Sequence, residues 1–564
     1  MKVIIVGGVA GGATAAARIR RLDEHAEITV FERSGYISYA NCGLPYYIGD
    51  VITDPEELTL QTPESFFKRF RINMKIHHEV ISIHPDRKIV SVKNLENDEI
   101  FEENYDKLIL SPGAKPTQPR LPGVGIDKVF TLRTVEDTFR IKEYINKNHP
   151  KSAVLAGGGF IGLELAENLR ELGMDVTIVQ RPKQLMNPFD PDMASMIHNE
   201  MRKHGIKLVL GYTVEGFKEK DNGVEVLLKD NPSLQADMVV LAIGVTPDTV
   251  LAKEAGLELG IKESIVVNDR METSVPDIYA AGDAVQVKHY VTGNDALISL
   301  AGPANKQGRI IADNICGGDS RYLGSQGSSV IKVFDMTAST TGINETNAKK
   351  SGLEVDTVIL SPMSHAGYYP GGKVMTMKVV FEKESYRLLG AQIIGYEGVD
   401  KRIDVLATAI HAGLNATQLK DLDLAYAPPY SSAKDPVNMA GFMIDNIAKG
   451  TLKQWHLEDM DKISKDKDVV LLDVRTVGEF SRGHIDGFKN IPVDELRERI
   501  SEIEKGKPVY LICQSGLRSY IASRILEGNG YETYNFSGGF RFYDAVVNDR
   551  ALIERAYACG MELI

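Results

Sequence analysis

The chain has 564 residues, more than one hydrophobic core organises, so we expect three or four domains. Its 65 basic and 77 acidic residues give a net charge of −12, which argues against a nucleic-acid-binding protein. No apolar run approaches the ~20 residues of a membrane span and the N-terminus lacks signal-peptide features, so we expect a cytoplasmic protein that contacts no membrane.

A dinucleotide-binding pattern opens the chain. A short β-branched strand, residues 2–6, runs into the glycine-rich turn GGVAGG at 7–12. An alanine-rich helix and a second strand follow, and the strand ends at Glu32, twenty residues after Gly12. Glycines let the backbone approach a pyrophosphate at a helix N-terminus, and an acid at this distance accepts a hydrogen bond from a ribose hydroxyl. One departure from the usual G-x-G-x-x-G pattern is Val9 at the middle glycine.

An isolated cysteine, Cys42, follows Glu32 by ten residues within the segment SYANCGLP at 38–45. The next cysteine along the chain is Cys316, so Cys42 has no partner nearby in sequence. Isolated cysteines are most often buried structural residues. The position directly after the first two strands favours a functional thiol instead. The four cysteines have unrelated spacings, which predict neither a disulfide framework nor a metal site.

A second dinucleotide-binding pattern lies at 153–181. Its strand leads into GGGFIG at 157–162, which contains all three glycines of the motif. Gln180 and Arg181 stand at the end of its second strand, where an acid would favour NAD. An arginine there can accommodate the 2′-phosphate of NADP, so NADH and NADPH both stay open.

Two such units in one chain suggest a flavin that is reduced by a nicotinamide nucleotide. The segment TSVPDIYAAGD at 273–283 has the form in which a strand delivers an aspartate to the flavin ribitol, and YDKLILSPG at 105–113 accompanies it. These motifs, in this order, resemble the flavoprotein disulfide reductases with two dinucleotide-binding domains. The resemblance covers about residues 1–445 and implies FAD together with NADH or NADPH. The residues that it assigns to cofactor binding are Gly7, Gly8, Ala10, Gly11, Gly12, Glu32, Arg33, Gly113, Gly157, Gly159, Phe160, Ile161, Gly162, Gln180, Arg181, Gly244, Gly282 and Asp283.

The single thiol separates the branches of this family. Glutathione-reductase-like members carry a C-x4-C dithiol here, whereas a lone thiol must cycle through a mixed disulfide, a persulfide or a sulfenic acid. The pattern S-x-x-N-C at 38–42, together with GGVAGG, resembles the coenzyme A-disulfide reductases. The alternative is an NADH peroxidase or oxidase, but these use a histidine in the glycine turn where this chain has Ala10. A third hypothesis is a non-catalytic redox sensor or sulfur carrier.

The helix after the first turn carries Thr14, Arg18 and Arg21 on one face, because their spacings are i,i+4 and i,i+3. This face could be an exposed basic helix end, which is favourable at the C-terminal dipole. Two arginines beside a reactive thiol also suit the phosphates of coenzyme A. The resemblance implies that Thr14, Arg18, Arg21, Ser38, Asn41, Asn305 and Lys434 bind this substrate.

The segment 325–447 resembles the dimerisation domain of the same family. Loop tyrosines are most often packing or interface residues. In the family, tyrosines from two motifs of this domain reach the active site of the other subunit, where a phenol can protonate a leaving thiolate. We expect Tyr369 and Tyr426 in this role, with Tyr368 and Tyr430 as alternatives. The resemblance therefore implies an obligate homodimer.

The last ~108 residues resemble a rhodanese (sulfurtransferase) domain. A predicted strand at 509–512 ends in CQSGLRS, and Cys513 stands on a loop at a helix N-terminus, where backbone N–H groups stabilise an anionic sulfur. Arg518 adds positive charge, and the loop from Cys513 to Arg518 has the six residues of active rhodaneses. An inactive binding module is the other interpretation. Cys316 and Cys559 have no motif context, and we expect them to be structural.

The predicted fold is α/β, with two Rossmann-like domains, an α+β dimerisation domain and a C-terminal α/β rhodanese domain. The expected boundaries are 1–112 with 271–324 for FAD, 113–270 for NAD(P)H, 325–447 for dimerisation, 448–456 for a linker and 457–564 for rhodanese. The whole chain resembles the coenzyme A-disulfide reductase–rhodanese fusions, which include NADH-dependent persulfide reductases. This resemblance implies an NAD(P)H-driven flavoenzyme that reduces coenzyme A persulfide, polysulfide and coenzyme A disulfide at Cys42, while Cys513 handles sulfane sulfur.

Overall fold

The computed structural model describes residues 1–117, 119–220 and 223–558, with the backbone alone for 556–558, so Cys559 lies outside the described residues. The chain divides into two compact units. The first contains Met1–Pro182 and Ile206–Gly327, and the second contains Lys183–Gly205 and the chain from Ser328 onward. Within the described ranges, no helix is both long and apolar enough to cross a membrane.

The first unit contains two parallel sheets of five strands. The strands of the first, in spatial order, are Ile278–Ala280, Lys107–Leu110, Lys2–Val6, Glu27–Phe31 and Asn73–Lys75. The second contains Lys207–Leu210, Asp175–Gln180, Ser152–Ala156, Met238–Leu241 and Val129–Thr131. The central strands are almost fully buried, as expected for parallel strands covered on both faces. Both predicted Rossmann-like units are therefore confirmed.

Antiparallel ladders and helices complete the first unit. One ladder contains His78–His84, Ile89–Asn94 and Ile100–Asn104, and another contains Val214–Lys220, Gly223–Leu228 and Asn231–Ala236. Ala114–Pro116 pairs with Val245–Pro247, and Val287–Lys288 pairs with Asp295–Ala296. The α-helices are Ala10–Leu22, Leu44–Ile48, Pro63–Phe70, Val135–Asn148, Phe160–Glu171, Val250–Glu254 and Ala301–Ile315.

The second unit contains an antiparallel sheet with the order Ser329–Val333, Met336–Gly342, Leu388–Gly395, Met375–Glu382 and Val355–Leu360. Its helices are Glu345–Lys350, Val399–His411 and Pro436–Ala448, and helix Pro191–Lys203 packs with this unit although it interrupts the first unit in sequence. A fully buried lysine, Lys378, fixes that helix to the sheet. Its Nζ lies 3.2 Å from Asp190, 2.8 Å from Asp192 and 2.7 Å from Glu345. The three carboxylates raise the pKa of Lys378 against the opposing effect of its burial.

A parallel sheet forms the C-terminal part of the second unit. Its strands are Gln454–Trp455, Thr533–Phe536, Val509–Ile512, Val470–Asp473 and Lys489–Asn490, and its helices are Met460–Ile463, Val477–Arg482, Leu517–Glu527 and Gly539–Ala558. The α+β sheet and this α/β sheet both agree with the predicted fold class.

A buried polar network joins the last helix to helix Pro191–Lys203. His198 accepts a hydrogen bond from the Leu185 N–H at Nε2 (2.9 Å), so its proton is on Nδ1, which donates to Asp549 (2.8 Å). Arg202 Nη1 lies 2.5 Å from the other carboxylate oxygen of Asp549. Burial opposes ionisation of Asp549, but His198 and Arg202 outweigh it and lower the pKa of the carboxyl group.

Candidate functional site

The first glycine turn brings the backbone of three elements into contact. Gly7 has φ +97°, and a Cβ there would lie 2.1 Å from the Ser111 carbonyl oxygen. A Cβ on Gly12 would lie 1.9 Å from the Gly7 carbonyl oxygen. The turn therefore closes only with glycine at these positions. Helix Ala10–Leu22 starts without a side-chain cap, so its first N–H groups are available to an anion.

The two glycine turns hold the side chain after the second strand in the same way. The Gly8 N–H donates to the Glu32 carboxylate at 2.9 Å, and the Gly158 N–H donates to the Gln180 amide oxygen at 3.0 Å. Glu32 is buried, as a polar group held by a defined partner can be. Gln180 thus takes the structural place of Glu32 without its negative charge, while its neighbour Arg181 is exposed.

The second turn contains an open position. A Cβ on Gly162 would lie 2.2 Å from the Gly157 carbonyl oxygen, so this glycine is required for closure. At Gly159, in contrast, no described atom beyond the chain neighbours lies within 4 Å of the place of a Cβ. Space of this kind at the start of helix Phe160–Glu171 suits a pyrophosphate.

Cys42 is a free, solvent-exposed thiol on the single helical turn Asn41–Gly43. The Asn41 side-chain amide forms two hydrogen bonds with Arg133. Its nitrogen donates to the Arg133 carbonyl oxygen (3.1 Å), and its oxygen accepts from Arg133 Nη1 (3.3 Å). Arg133 Nη2 forms an ion pair with Asp283 at 2.6 Å. Arg133 therefore connects the Cys42 turn to the aspartate that the sequence predicted for the flavin ribitol.

Protein groups around Cys42 disfavour its thiolate. Desolvation and then the nearby Glu164 raise the pKa of Cys42, and Arg133 opposes them. Burial, followed by repulsion from Glu167, raises the pKa of Glu164 to about 7. Burial and these two glutamates also raise the pKa of Tyr46 to about 12. The site thus contains a carboxyl group that titrates near neutral pH and one cation, Arg133, that stabilises negative charge on sulfur.

Two of the three residues predicted on one face of helix Ala10–Leu22 bind helix Ala301–Ile315. Thr14 Oγ1 donates to Asn305 Oδ1 at 2.5 Å, and Arg18 Nε lies 2.8 Å from Asp313 Oδ1. Arg21 is exposed. The structure therefore brings together Thr14 and Asn305, which the sequence assigned to the same substrate, but it also gives Arg18 a carboxylate partner.

The remaining predicted residues of the first unit lie on loops and turns. Arg33 Nη2 lies 2.8 Å from Asp248, and Ser38 adopts the left-handed region at φ +45° while its N–H donates to the Gly8 carbonyl oxygen. Gly113, Gly244 and Gly282 all have positive φ, and the Gly282 N–H donates to Gln307. Gly11 packs against Ser111, and Ala10, Phe160 and Ile161 are half-buried at the two helix starts.

In the second unit, two loops that carry tyrosines, at 361–374 and at 422–435, meet at an exposed surface. We call them the first and the second tyrosine loop. The hydroxyl oxygens of Tyr368 and Tyr426 lie 2.5 Å apart, and this hydrogen bond raises the pKa of Tyr426. Tyr369 instead contacts the ring of His365, edge to face, with centroids 5.5 Å apart. Tyr430 and Lys434 are exposed on the second loop. The alternative residue Tyr368, rather than Tyr369, is therefore the partner of Tyr426.

A buried arginine holds the two tyrosine loops together. Arg402 Nη2 donates to the Ser364 carbonyl oxygen of the first loop at 3.0 Å and to Asp435 Oδ2, at the end of the second, at 3.0 Å. It also donates to the Ser431 hydroxyl oxygen at 3.1 Å. Arg402 therefore fixes the two loops relative to each other, because a planar guanidinium can donate to several acceptors at once.

Cys513 is fully buried at the start of helix Leu517–Glu527. Its sulfur accepts hydrogen bonds from the Gly516 N–H at 3.1 Å and from the Ser519 hydroxyl at 3.2 Å. Gly516 has φ +96°, which glycine adopts without strain and which aims its N–H at the sulfur. These donors favour an anionic sulfur or a persulfide.

Arg518, predicted to add charge to this loop, is bound to a carboxylate. Its two terminal nitrogens each lie 2.7 Å from an oxygen of Glu479, which caps helix Val477–Arg482 together with Thr476. Hydrogen bonding from Arg518 lowers the pKa of Glu479 to about 2. The bidentate pair neutralises much of the charge of Arg518 and fixes the loop to a second helix.

Sequence reasoning missed several residues of these sites, namely Tyr46, Arg133, Glu164, Ser519, Glu479 and Arg402. Arg133 lies 150 residues from Asp283, so no spacing could have connected them. Glu164 lies two residues after GGGFIG, and periodicity could not tell whether its side of the helix faces solvent or the thiol. Ser519 could have been identified from the sequence, since it is the last residue of the CQSGLRS motif at 513–519.

Comparison with known proteins agrees with this geometry. The chain is 38% identical over 442 residues to the coenzyme A disulfide reductase of Staphylococcus aureus, which spans 78% of this chain and 99% of the relative. The structure of reduced Bacillus anthracis CoADR-RHD superposes with a TM-score of 0.95 at 48% identity, over 97% of this chain and 98% of that one. A NAD-dependent persulfide reductase from A. fulgidus gives a TM-score of 0.90 at 38% identity, over 96% and 100% of the two chains.

Family descriptions match three consecutive parts of the chain. Residues 1–308 match pyridine nucleotide-disulphide oxidoreductases, residues 328–436 match the dimerisation domain of that family, and residues 456–545 match the rhodanese-like domain. The resemblance predicted from the motifs is therefore confirmed. The chain belongs to the pyridine nucleotide-disulphide oxidoreductase family and carries a rhodanese-like domain at its C-terminal end.

Proposed function

We propose that this protein is an FAD-dependent, NAD(P)H-driven reductase of coenzyme A persulfide, polysulfide and coenzyme A disulfide. Cys42 is its single redox-active cysteine, and the rhodanese-like domain handles sulfane sulfur through Cys513. The observation that carries the proposal is a free, accessible thiol whose own turn is bound, through Asn41 and Arg133, to the Asp283 motif. A thiol without a cysteine partner on its own motif must take the other sulfur from the substrate.

The first unit fits two dinucleotides. Gly7 and Gly12 leave no room for side chains around the first turn, and the uncapped N–H groups of helix Ala10–Leu22 suit the pyrophosphate of FAD. Glu32 is the proposed acceptor from the ribose of FAD, and Asp283 is the proposed acceptor from its ribitol. The open surface at Gly159 suits the pyrophosphate of NADH or NADPH. When bound, these cofactors supply the electron pair that the reduction consumes.

The chemistry on sulfur follows from the position of Cys42. Its thiolate attacks a sulfur of coenzyme A disulfide, one S–S bond forms as another breaks, and a coenzyme A thiolate leaves with the electron pair. With coenzyme A persulfide, attack on the inner sulfur forms a Cys42–coenzyme A disulfide and releases sulfide, whereas attack on the outer sulfur leaves a persulfide on Cys42 and releases the coenzyme A thiolate. Two electrons then cleave the new S–S bond and restore the Cys42 thiolate. Arg133 stabilises that thiolate against the desolvation and the Glu164 charge that raise its pKa.

We further propose that the protein acts as a homodimer. The chain carries the dimerisation domain of the family, and the hydroxyl groups of Tyr368 and Tyr426 face outward from it. A phenol with a raised pKa remains protonated and can donate to a leaving thiolate at the partner's thiol site. Thr14, Ser38, Asn41 and Asn305 are proposed to contact coenzyme A, with Arg21 on its phosphates.

The competing hypothesis is a peroxidase or oxidase that uses a Cys42 sulfenic acid. Ala10 stands where those enzymes have an assisting histidine, and the rhodanese-like domain has no evident part in reduction of peroxide. Both features support a sulfur substrate instead. Both NADH and NADPH are proposed as electron donors. Gln180 carries no charge that would repel a 2′-phosphate, and Arg181 is exposed and able to bind one.

The decisive measurement is the oxidation of NADH and of NADPH by the purified chain with coenzyme A persulfide, coenzyme A disulfide, polysulfide and hydrogen peroxide in turn. We expect fast turnover with the sulfur substrates and loss of it in Cys42→Ser. Cys316→Ser is the matched control, because this free cysteine has no motif around it. Turnover with peroxide alone, or persulfide turnover that survives in Cys42→Ser, would refute the proposal.

A further inference from the structure

The rhodanese-like domain contains a surface groove along the helix Leu517–Glu527, which follows its cysteine loop. Its volume is about 560 Å³, within the range of small-molecule sites. The residues that line it include Arg497, Ile500, Tyr520, Ile521, Arg524 and Asn529. One wall is held in place, because the Tyr531 hydroxyl donates to the Ile503 carbonyl oxygen at 3.1 Å, beneath the Ile500 segment.

The helix that starts at the Cys513 loop forms one side of the groove. Leu517 at its first position is 65% exposed, and Ile521 one turn later is 42% exposed, so an apolar strip runs from the loop into the groove. Apolar side chains that are exposed together at a functional loop commonly contact a ligand. No catalytic role assigned so far uses either residue.

Two arginines, Arg497 and Arg524, line the groove. Arg497 is exposed and forms no ion pair within the part of the chain that the structure describes. Arg524 donates to the Thr451 carbonyl oxygen at 2.9 Å and pairs with Glu527, so it contributes less net charge. An unpaired guanidinium over a groove with a tyrosine ring suits a phosphate next to an aromatic base.

We infer that this groove is a second binding site for coenzyme A, which places the thiol at Cys513 and the nucleotide phosphates at Arg497. This inference rests on the proposed function, since it names the acceptor of the rhodanese-like domain. Arg524, which lines the same groove as Arg497, lies seven residues after Leu517, about 11 Å along a helix axis. The arm of coenzyme A has about twelve bonds from the sulfur to the first phosphate oxygen. This equals the number of backbone bonds in about four residues, so the extended arm spans about 14 Å. The arm therefore covers the distance along Leu517 and Ile521.

The transfer that this site supports is balanced without another redox partner. With thiosulfate as donor, the Cys513 thiolate attacks the outer sulfur, the S–S bond breaks, and sulfite leaves with the electron pair. The coenzyme A thiol loses its proton to solvent, and its thiolate attacks the outer sulfur of the Cys513 persulfide. Coenzyme A persulfide forms and the Cys513 thiolate is restored. The product is a substrate of the reaction proposed at Cys42.

The test is sulfur transfer by the full chain in a Cys42→Ser background without NAD(P)H, measured as sulfite release from thiosulfate. Coenzyme A and dithiothreitol serve as alternative acceptors. In Arg497→Gln we expect the KM for coenzyme A to rise at least fivefold, while the KM for dithiothreitol stays the same. Ile521→Glu should have the same selective effect because it adds negative charge beside the phosphates. Arg497→Lys should restore most of the affinity, and Arg550→Gln, an exposed arginine on the last helix, is the matched control.

A competition experiment separates binding in the groove from chemistry at the loop. Adenosine 3′,5′-bisphosphate, which has the phosphates but no thiol arm, should compete with coenzyme A and leave transfer to dithiothreitol unaffected. Equal KM changes for both acceptors, no change in Arg497→Gln, or inhibition of both transfers or of neither would overturn the second site. Coenzyme A disulfide reduction by the unmodified chain, assayed in parallel, tests the proposed function separately, because it depends on Cys42 and not on Arg497.

Discussion

The hydroxyl oxygens of Tyr368 and Tyr426 lie 2.5 Å apart, although 58 residues separate them in the chain. In a hydrogen bond between two phenols, one hydroxyl proton lies between the two oxygens and the other remains able to donate outward, so the pair has one outward proton. Removal of either oxygen should therefore disturb the same function.

We expect Tyr426→Phe and Tyr368→Phe each to lower kcat for coenzyme A disulfide about 100-fold, the lower end of the range for general acid catalysis, without loss of bound flavin. The double variant should lose little more than either single variant, because the two residues act as one unit. Tyr369→Phe is the control and should stay within about twofold. Strictly multiplicative effects in the double variant would contradict this pairing.

Cys513→Ser should separate the two sulfur activities. Its sulfur accepts from the Gly516 N–H and the Ser519 hydroxyl, so this site is complete within its own domain. We expect the variant to keep coenzyme A disulfide reduction within about twofold while use of thiosulfate or polysulfide as the sulfur source falls at least tenfold. Parallel NADH oxidation assays with these substrates measure the ratio. Equal loss of both activities would refute this division of labour.

Two glycines of the second turn should respond differently to the same small change. At Gly159 a methyl group meets open space, so Gly159→Ala should fold with an unchanged Tm but should obstruct the nucleotide. We expect its KM for NAD(P)H to rise about tenfold, equivalent to about 1.4 kcal/mol. At Gly162 the methyl group would lie 2.2 Å from a carbonyl oxygen, so Gly162→Ala should lower the Tm itself. Thermal unfolding by circular dichroism, with KM measurements, distinguishes the two effects.

Replacement of the buried Lys378 should lower the free energy of unfolding by an amount that depends on pH. Lys378→Met leaves the buried Asp190 and the half-buried Glu345 charged without their cation, which should lower the free energy of unfolding by about 3–5 kcal/mol near pH 8. The pKa values of both carboxyl groups are lowered in the folded chain, so their contribution is complete above the ordinary carboxyl range and is lost as the pH falls through it. Protonation relieves the unpaired charges in the variant, so its deficit should shrink between pH 8 and pH 5.

Urea unfolding at the two pH values provides the measurement, and the exposed Lys383→Met is the control. A deficit that is independent of pH would mean that lost packing, rather than unpaired charge, explains the destabilisation.

The sequence predicted best those features that depend on residues close together in the chain. Both glycine turns, the placement of Glu32 and the strand Val509–Ile512 were readable because hydrophobic periodicity and turn chemistry act over short distances. Residues defined by distant contacts were not. Arg133 meets Asp283 only after a whole domain has folded between them, and Arg18 finds Asp313 on a helix nearly 300 residues away.

Loop geometry was the second limit. The two adjacent tyrosines Tyr368 and Tyr369 are indistinguishable by composition, and only the conformation of their loop decides which one reaches Tyr426. The charge state of side chains was also hidden. Glu479 and Glu164 are the same residue type, yet an arginine partner lowers the pKa of Glu479, whereas burial and then the neighbouring Glu167 raise the pKa of Glu164.

The bond between His198 and Asp549 has a consequence for attempts to cut the chain into modules. A reductase fragment that ends between the helix Pro436–Ala448 and the strand Gln454–Trp455 would lose Asp549 and would leave an imidazole N–H and the Arg202 guanidinium without this acceptor. Removal of the last helix would thus expose these polar groups on the helix Pro191–Lys203, so a shortened chain should be less stable than the reductase part is within the whole chain.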